Sequence, residues 1–96
     1  MELNGKVVVV TGGASGIGTG LCRRFREEGV RALIIADLNG EAVAALAHEL
    51  DAVGVTLDVR DEAAMATMVS EVEAQFGQID LFCSNAGILN LDGGDF

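Results

Sequence analysis

The chain has 96 residues, half of them apolar, with a formal net charge of −9 and neither proline nor tyrosine. This charge repels nucleic acid and anionic membranes, so it argues against both as partners. No apolar run approaches the roughly eighteen residues of a membrane span, and the N-terminus lacks the basic and long apolar regions of a secretory signal. We therefore expect a cytoplasmic protein that forms one small domain or part of a larger one.

The first predicted element is a strand, because four consecutive valines at 7–10 suit a strand buried on both faces of a parallel sheet. It leads through residues 12–15, here called the glycine turn, into a helix that begins near Gly16. Gly12 suits the backbone angles of a tight turn, Gly16 lets a phosphate approach main-chain N–H groups, and Gly18 lets the helix pack closely on the sheet. The free N–H groups and positive dipole end of the helix then favour a pyrophosphate without any basic side chain.

The first helix is expected to place Ile17, Leu21 and Phe25 on one buried face and to end at Gly29. A second strand over 32–36 ends in Asp37, nineteen residues after Gly18. An acidic residue at this distance suits hydrogen bonding to the hydroxyls of an adenosine ribose. A helix or turn cap before Asn39 is the alternative, and the upstream glycines favour the ribose role.

The remaining elements complete an α/β pattern. A second helix with an Asn39 cap and a third with an Asp61 cap are expected to pack apolar stripes on the sheet, the third ending at Gly77. The stripes comprise Val43, Leu46, Ala47 and Leu50, then Met65, Met68, Val69, Val72 and Phe76. With further strands over 53–57 and 79–83, the alternation predicts a Rossmann-type doubly wound parallel sheet between two helical layers.

The fourth strand is expected to lie beside the first, which leaves the apolar residues 81–83 on an unpaired outer edge. Proteins seldom leave such an edge open, so we expect the chain to be the N-terminal part of a longer polypeptide. Cys22 and Cys83 are interpreted as reduced, packed thiols, with a disulfide or a nucleophile as the minor alternative. His48 is expected to be a surface or packing residue, and nothing near it has metal-ligand spacing, so no metal site is predicted.

Three motifs resemble those of the short-chain dehydrogenase/reductase family. The pattern Thr11-Gly12-x-x-x-Gly16-x-Gly18 resembles its cofactor motif, and Asp58-Val59 is similar to the acidic-aliphatic pair that meets the adenine ring. Asn85-Ala86-Gly87 resembles its Asn-Asn-Ala-Gly motif, with Ser84 in place of the first asparagine. The resemblance implies that residues 1–96 are the N-terminal portion of an NAD(P)-binding domain whose remainder lies outside this chain.

The resemblance also implies a set of cofactor-binding residues. The pyrophosphate region would be held by Gly12, Ser15, Gly16, Ile17 and Gly18, and the adenosine ribose by Asp37 and Leu38. The adenine would contact Asp58 and Val59, and the turn under the nicotinamide-side ribose would be formed by Asn85, Ala86 and Gly87. Members that use NADP usually place a basic residue in the glycine turn or after the second strand. Here those places hold Ser15, Asp37 and Leu38, and a carboxylate repels a 2′-phosphate. The predicted cofactor is therefore NAD.

The activity that the resemblance implies is hydride transfer between nicotinamide C4 and an alcohol or ketone carbon of a small molecule, often in a homotetramer. The family's catalytic tyrosine, lysine and serine are not located here, because the chain lacks tyrosine and its one lysine is Lys6. No catalytic residue is assigned, Asn85 included, and these residues alone are expected to be inactive. A non-catalytic NAD-binding or redox-sensing module and a truncated inactive fragment are the alternatives; an extended-type epimerase, with Gly-x-x-Gly-x-x-Gly spacing, fits less well.

Overall fold

The computed structural model describes residues 2–85, which form a four-stranded parallel sheet with three helices. The elements in chain order are β1 Val7–Thr11, α1 Gly16–Glu27, β2 Ala32–Asp37, α2 Gly40–Leu50, β3 Val53–Thr56, α3 Glu62–Phe76 and β4 Leu81–Ser84. The sheet has the order β3-β2-β1-β4, so the chain crosses from one side of β1 to the other through α3. The predicted doubly wound parallel sheet is confirmed.

The sheet is covered on both faces, and the side chains of β1 alternate between two apolar clusters. Val8 and Val10 pack with α1 and α2 on one face, whereas Val7 and Val9 pack with α3 on the other. All four valines are at most 1% exposed. Because both faces of β1 are apolar and covered, this strand forms the centre of the core, as the valine run predicts.

The structure corrects the predicted buried face of α1. Ile17 is 76% exposed, and the buried positions of this helix are Gly18, Cys22 and Phe25. Leu21 is half-buried. The reason is steric. Only a residue without a side chain can face the glycine turn at such close range, so Gly18 takes this position and the preceding residue points outward.

The second and third helices follow their predicted stripes, with a gradient of burial. In α2 the buried residues are Val43, Leu46 and Ala47, and Leu50 is half-buried. In α3 only Met68 and Val72 are fully buried, and the other stripe residues are partly covered. Among residues 2–85, α3 is the only helix on its face of the sheet, so the flanks of its stripe have fewer neighbours.

The fourth strand begins two residues later than predicted, because Ile79 and Asp80 form its approach to β1. The Asp80 N–H donates to the Val7 carbonyl at 2.9 Å, and its carboxylate accepts from the Val7 N–H at 2.8 Å. Within residues 2–85, β4 pairs only with β1, and Phe82 is 39% exposed. The expected open apolar edge is confirmed for this part of the chain.

Both cysteines are free thiols, Cys22 buried and Cys83 half-buried. Burial raises the pKa of Cys22 to about 11, with a smaller contribution from the neighbouring Cys83 thiol. The structure agrees with the interpretation of both residues as packed thiols without a disulfide. His48 is exposed, as expected for a surface residue, and no helix within residues 2–85 has the length and apolar character to cross a bilayer.

Arginine side chains from other elements close the C-terminal ends of two helices. The Arg26 guanidinium donates to the carbonyls of Leu50 and Asp51 at the end of α2, at 2.9 and 3.2 Å, and to the Val30 carbonyl at 3.1 Å. Arg31 donates to the carbonyl of Phe76, the last residue of α3. These contacts satisfy unpaired carbonyl groups and place positive charge at the negative ends of the helix dipoles.

We predict that Arg26→Met lowers the free energy of unfolding by about 1.5 to 3 kcal/mol, because a charge-assisted network is lost while the apolar stem is retained. Urea unfolding followed by circular dichroism measures this. The matched control is Arg23→Met, which removes a pair with Glu49 in which both side chains are about half exposed. That change is expected to cost about 0 to 1 kcal/mol, and equal losses in the two variants would contradict the capping role.

Candidate functional site

The carboxyl ends of the four strands lie along one edge of the sheet because all pairings are parallel. The strand register places Thr11 beside Ala36 on one side and Ser84 on the other, and Asp37 lies beside Thr56. The glycine turn, Asp37, the segment after β3 and Asn85 therefore follow strand ends at the same edge. Ligands of open α/β sheets bind at this edge, where the strand order reverses.

The glycine turn is tied to the end of β2 by three successive backbone N–H groups. Gly12 has a φ of 69°, a left-handed conformation that favours glycine. The N–H groups of Gly12 and Gly13 donate to the Ala36 carbonyl at 2.8 and 3.3 Å. The Ala14 N–H donates to Oδ2 of Asp37 at 3.0 Å. The turn is thereby held against β2 before the helix begins.

Ser15 closes the turn as the N-cap of α1. Its Oγ donates to the Gly12 carbonyl at 2.8 Å and accepts from the Gly18 N–H at 3.1 Å. Thr19 adds a second closure, since its Oγ1 donates to the Gly13 carbonyl at 3.1 Å. The glycine spacing of the motif did not predict this role for Thr19. The signal in the sequence was a hydroxyl residue one turn into the helix. Because the Ser15 hydroxyl is engaged in the cap, this residue shapes the turn through its side chain.

Two backbone donors are left over at the start of α1. Among residues 2–85, nothing accepts a hydrogen bond from the N–H groups of Gly16 and Ile17. A Cβ added at Gly16 would meet no atom of residues 2–85 within 4 Å, so the space beside this residue is open. Unpaired N–H groups at the positive end of a helix dipole favour an anion at this point.

The helix approaches the turn so closely that residue 18 has to be glycine. A Cβ built on Gly18 would lie 2.8 Å from the Gly13 Cα and 2.9 Å from the Gly12 carbonyl carbon, nearer than real Cβ atoms come. The sequence predicted close packing of the helix on the sheet. The structure shows that the contact is with the backbone of the glycine turn itself.

Both oxygens of the Asp37 carboxylate accept backbone hydrogen bonds. Oδ2 accepts from Ala14, and Oδ1 accepts from the Asn39 N–H at 3.0 Å. The cap that was the alternative interpretation is therefore present. A carboxylate has about four lone-pair sites, so capacity remains for further donors. Leu38, the next residue, is 63% exposed beside it.

Asp58 is held by Arg60, a residue that the sequence analysis did not single out. The guanidinium donates from Nε to Oδ1 at 3.0 Å and from Nη2 to Oδ2 at 2.8 Å, and the Arg60 backbone N–H donates to Oδ1 at 2.9 Å. These hydrogen bonds lower the pKa of Asp58 to about 2. Val59 is half-buried against the apolar cluster under α3. A ligand that donates to Asp58 has to share its carboxylate with Arg60.

Asn85 lies directly after β4 and joins it to the end of β1. Its backbone N–H and its Nδ2 both donate to the Thr11 carbonyl, at 3.1 and 3.3 Å. The Thr11 Oγ1 is fully buried and has no hydrogen-bond partner among residues 2–85. Ala86 and Gly87, the other two predicted residues of this motif, lie outside the described residues.

A separate cleft of about 350 Å³ lies between β3 and α3. Val55, Thr56 and Leu57 line one side, and α3 residues that include Met68 line the other. None of the predicted cofactor-binding residues within 2–85 lines this cleft. They follow the strand ends along the edge of the sheet.

We predict that Gly18→Ala destabilises the chain by about 1 to 3 kcal/mol, because its methyl group overlaps the backbone of the glycine turn. The control is Gly20→Ala in the same helix, where an added Cβ would meet nothing within 4 Å. That change is expected to stabilise the chain by about 0.4 to 1 kcal/mol through helix propensity. Thermal and urea unfolding of both variants measure the difference, and a harmless Gly18→Ala would disprove the close contact.

We also predict that the Asp58 carboxyl titrates near pH 2 and that Arg60→Gln returns its midpoint toward 3.8, its ordinary value. Because the folded pKa is depressed, the stabilising effect of the pair is present above about pH 4 and is lost as the pH falls toward 2. Carboxyl chemical shifts followed by NMR report both midpoints. An unchanged midpoint in Arg60→Gln would show that Arg60 is not the cause.

The chain matches the family model for short chain dehydrogenase over residues 6–95. The 3beta-hydroxysteroid dehydrogenase 2 of Eggerthella lenta is 45% identical over 95 residues, covering 92% of this chain and 35% of that protein. The (+)-cis,cis-nepetalactol synthase of Nepeta racemosa is 40% identical over 92 residues, covering 93% of this chain and 34% of that protein. The chain thus spans about a third of the length of these relatives.

A solved structure agrees with these matches. The 3-ketoacyl-(acyl-carrier-protein) reductase from Brucella melitensis, complexed with NADH, superposes with a TM-score of 0.77 at 32% identity, covering 83% of this chain and 34% of that chain. The comparison and the observed sheet support the same fold. The motif resemblance is confirmed, and this chain belongs to the short-chain dehydrogenase family.

Proposed function

We propose that the chain binds NAD(H), in preference to NADP(H), across the glycine turn and the adjoining strand ends. The observation that carries this proposal is the pair of N–H groups at the start of α1, of Gly16 and Ile17, that have no acceptor among residues 2–85. The space beside Gly16 is also open in this part of the chain. The other turn donors are consumed within the protein, so these two are available to a pyrophosphate. The NADH complex of the Brucella melitensis reductase supports a nicotinamide cofactor at a site of this fold.

The adenosine half of the proposed ligand lies along the ends of β2 and β3. Asp37 has lone pairs left for ribose hydroxyls, and the exposed Leu38 offers apolar surface. Asp58 and Val59 would meet the adenine. A 2′-phosphate placed near the Asp37 carboxylate is repelled, and no basic side chain among residues 2–85 hydrogen-bonds to the glycine turn. These features support NAD(H) over NADP(H).

At the other end of the ligand, Asn85, Ala86 and Gly87 would adjoin the nicotinamide-side ribose. The contact between Asn85 and the Thr11 carbonyl supports a fixed junction between β1 and β4 at this point. The buried Thr11 hydroxyl lies at the same junction. In this arrangement Asn85 positions backbone, so we assign it no catalytic role.

The bound cofactor would supply hydride acceptance and donation at nicotinamide C4, and we propose an alcohol or ketone as the small-molecule substrate. The chain's own residues hold the pyrophosphate by N–H groups and orient the adenosine by carboxylates. The 96 residues contain no tyrosine, and Lys6 precedes β1 at the opposite end of that strand from the glycine turn. We therefore infer that this chain alone binds the cofactor without turnover. The open edge of β4 supports its being the N-terminal part of a larger domain.

The family resemblance extends the proposal to a homotetramer in the cytoplasm. Size-exclusion chromatography coupled to light scattering measures the assembly.

Isothermal titration calorimetry tests the cofactor assignment. We predict that NADH binds at least about tenfold more tightly than NADPH, a difference of about 1.4 kcal/mol. Gly16→Ala should weaken NADH binding by a similar factor without loss of stability, because its methyl group would meet no atom of residues 2–85 but would narrow the space for a pyrophosphate bound beside this residue. Gly20→Ala is the control and should bind like the unaltered chain. Tighter binding of NADPH would overturn the role of Asp37, and unaltered binding in Gly16→Ala would overturn the pyrophosphate position.

A further inference from the structure

The hydrogen bonds of the glycine turn to β2 are of two kinds. Gly12 and Gly13 donate to the backbone carbonyl of Ala36, so these bonds persist whatever the side chains are. Ala14 donates to the side chain of Asp37. It is the one N–H donor of the glycine turn whose acceptor is a side chain of another element. The hold of β2 on the second half of the turn thus depends on residue 37.

The Asp37 carboxylate is itself fixed in place. Its other oxygen accepts from the Asn39 N–H at 3.0 Å, and its backbone carbonyl accepts from the Leu57 N–H of the segment after β3 at 3.0 Å. A carboxylate already held through Oδ1 has less rotational freedom to lose when Oδ2 accepts from Ala14. It therefore acts as a rigid acceptor for the turn, and hydrogen bonds to a charged acceptor are among the stronger ones.

The residue held in this way stands next to the anion donors. Ala14 is followed by Ser15, the N-cap of α1, and then by Gly16 and Ile17, whose N–H groups are unpaired. A shift of Ala14 moves the cap and with it the direction of both donors. Anion binding at a helix N-terminus requires these N–H groups to converge on one point.

We propose that Asp37 is a positioning residue for the pyrophosphate donors as well as a ribose ligand, so that one carboxylate couples sugar recognition to phosphate binding. The effect on cofactor binding rests on the proposed function, whereas the role of Asp37 in holding the glycine turn does not. A consequence follows for cofactor specificity: replacing Asp37 to admit a 2′-phosphate also loosens the site that holds the pyrophosphate.

The first test is amide hydrogen exchange by NMR on the free chain. Asp37→Ala should raise the exchange rate of the Ala14 N–H at least about tenfold, the factor that a loss of about 1.4 kcal/mol in local stability produces. The Gly12 N–H, which bonds to the Ala36 carbonyl, serves as the internal reference for intact folding. Asp37→Asn keeps one acceptor oxygen and should stay closer to the unaltered chain. Glu41→Ala removes an exposed carboxylate elsewhere and should leave Ala14 unchanged.

The second test separates positioning from ribose recognition with an NADH analogue that lacks both adenosine ribose hydroxyls. If Asp37 positions the turn, Asp37→Ala weakens binding of this analogue by about tenfold. If Asp37 acts only on the ribose, the analogue binds the variant and the unaltered chain alike. Removing a negative charge near a pyrophosphate would by itself strengthen binding. A weaker affinity of Asp37→Ala for the analogue therefore cannot be due to the change in charge.

The outcomes are distinguishable from failure of the proposed function. If the unaltered chain binds no NADH, the cofactor proposal fails, and the exchange rate of Ala14 still decides the hold on the turn. An Ala14 exchange rate unchanged in Asp37→Ala, with the Gly12 N–H still protected, overturns the positioning role. Unchanged affinity for the analogue overturns the coupling between sugar recognition and phosphate binding.

Discussion

Hydrogen bonds from the glycine turn to the end of β2 hold the start of α1, and the candidate site depends on them. They consume the N–H groups of residues 12–14, and the Ser15 cap consumes that of Gly18. What remains is a pair of adjacent donors at the positive end of a helix. Because the other N–H groups of the turn are hydrogen-bonded, this pair defines one position for an anion. A turn with many unpaired N–H groups would be less stable and would not define a single binding position.

The distribution of charge fits a site that binds an anion without basic side chains. The chain carries a net charge of −9, and its arginines are engaged elsewhere. Arg26 and Arg31 close helix C-termini, while Arg23, Arg24 and Arg60 pair with carboxylates. Attraction for an anion therefore comes from local backbone dipoles, which act over a few ångströms and are oriented by the fold.

The residues of the candidate site also stabilise the fold. Gly18 forms a close contact between helix and turn, Ser15 caps the helix, and Asn85 joins β4 to β1. A substitution at any of these positions changes stability and ligand geometry together. Gly16 differs from them, because a Cβ added there would meet no atom of residues 2–85 within 4 Å. Packing within this part of the chain therefore requires glycine at position 18 and leaves the space beside position 16 open.

The fold class, the helix caps and the positions of the motifs could be predicted from the amino-acid sequence, because valine runs, cap residues and glycine spacing act through local backbone preferences. Tertiary structure decided which face of α1 is buried, since the contact at Gly18 rotates Ile17 to the surface. It also decided that Arg26 contacts the end of α2 and that Asp37 accepts from Ala14. A carboxylate or guanidinium in a sequence has many possible partners, and only the packing of the strands and helices brings one of them within hydrogen-bond distance.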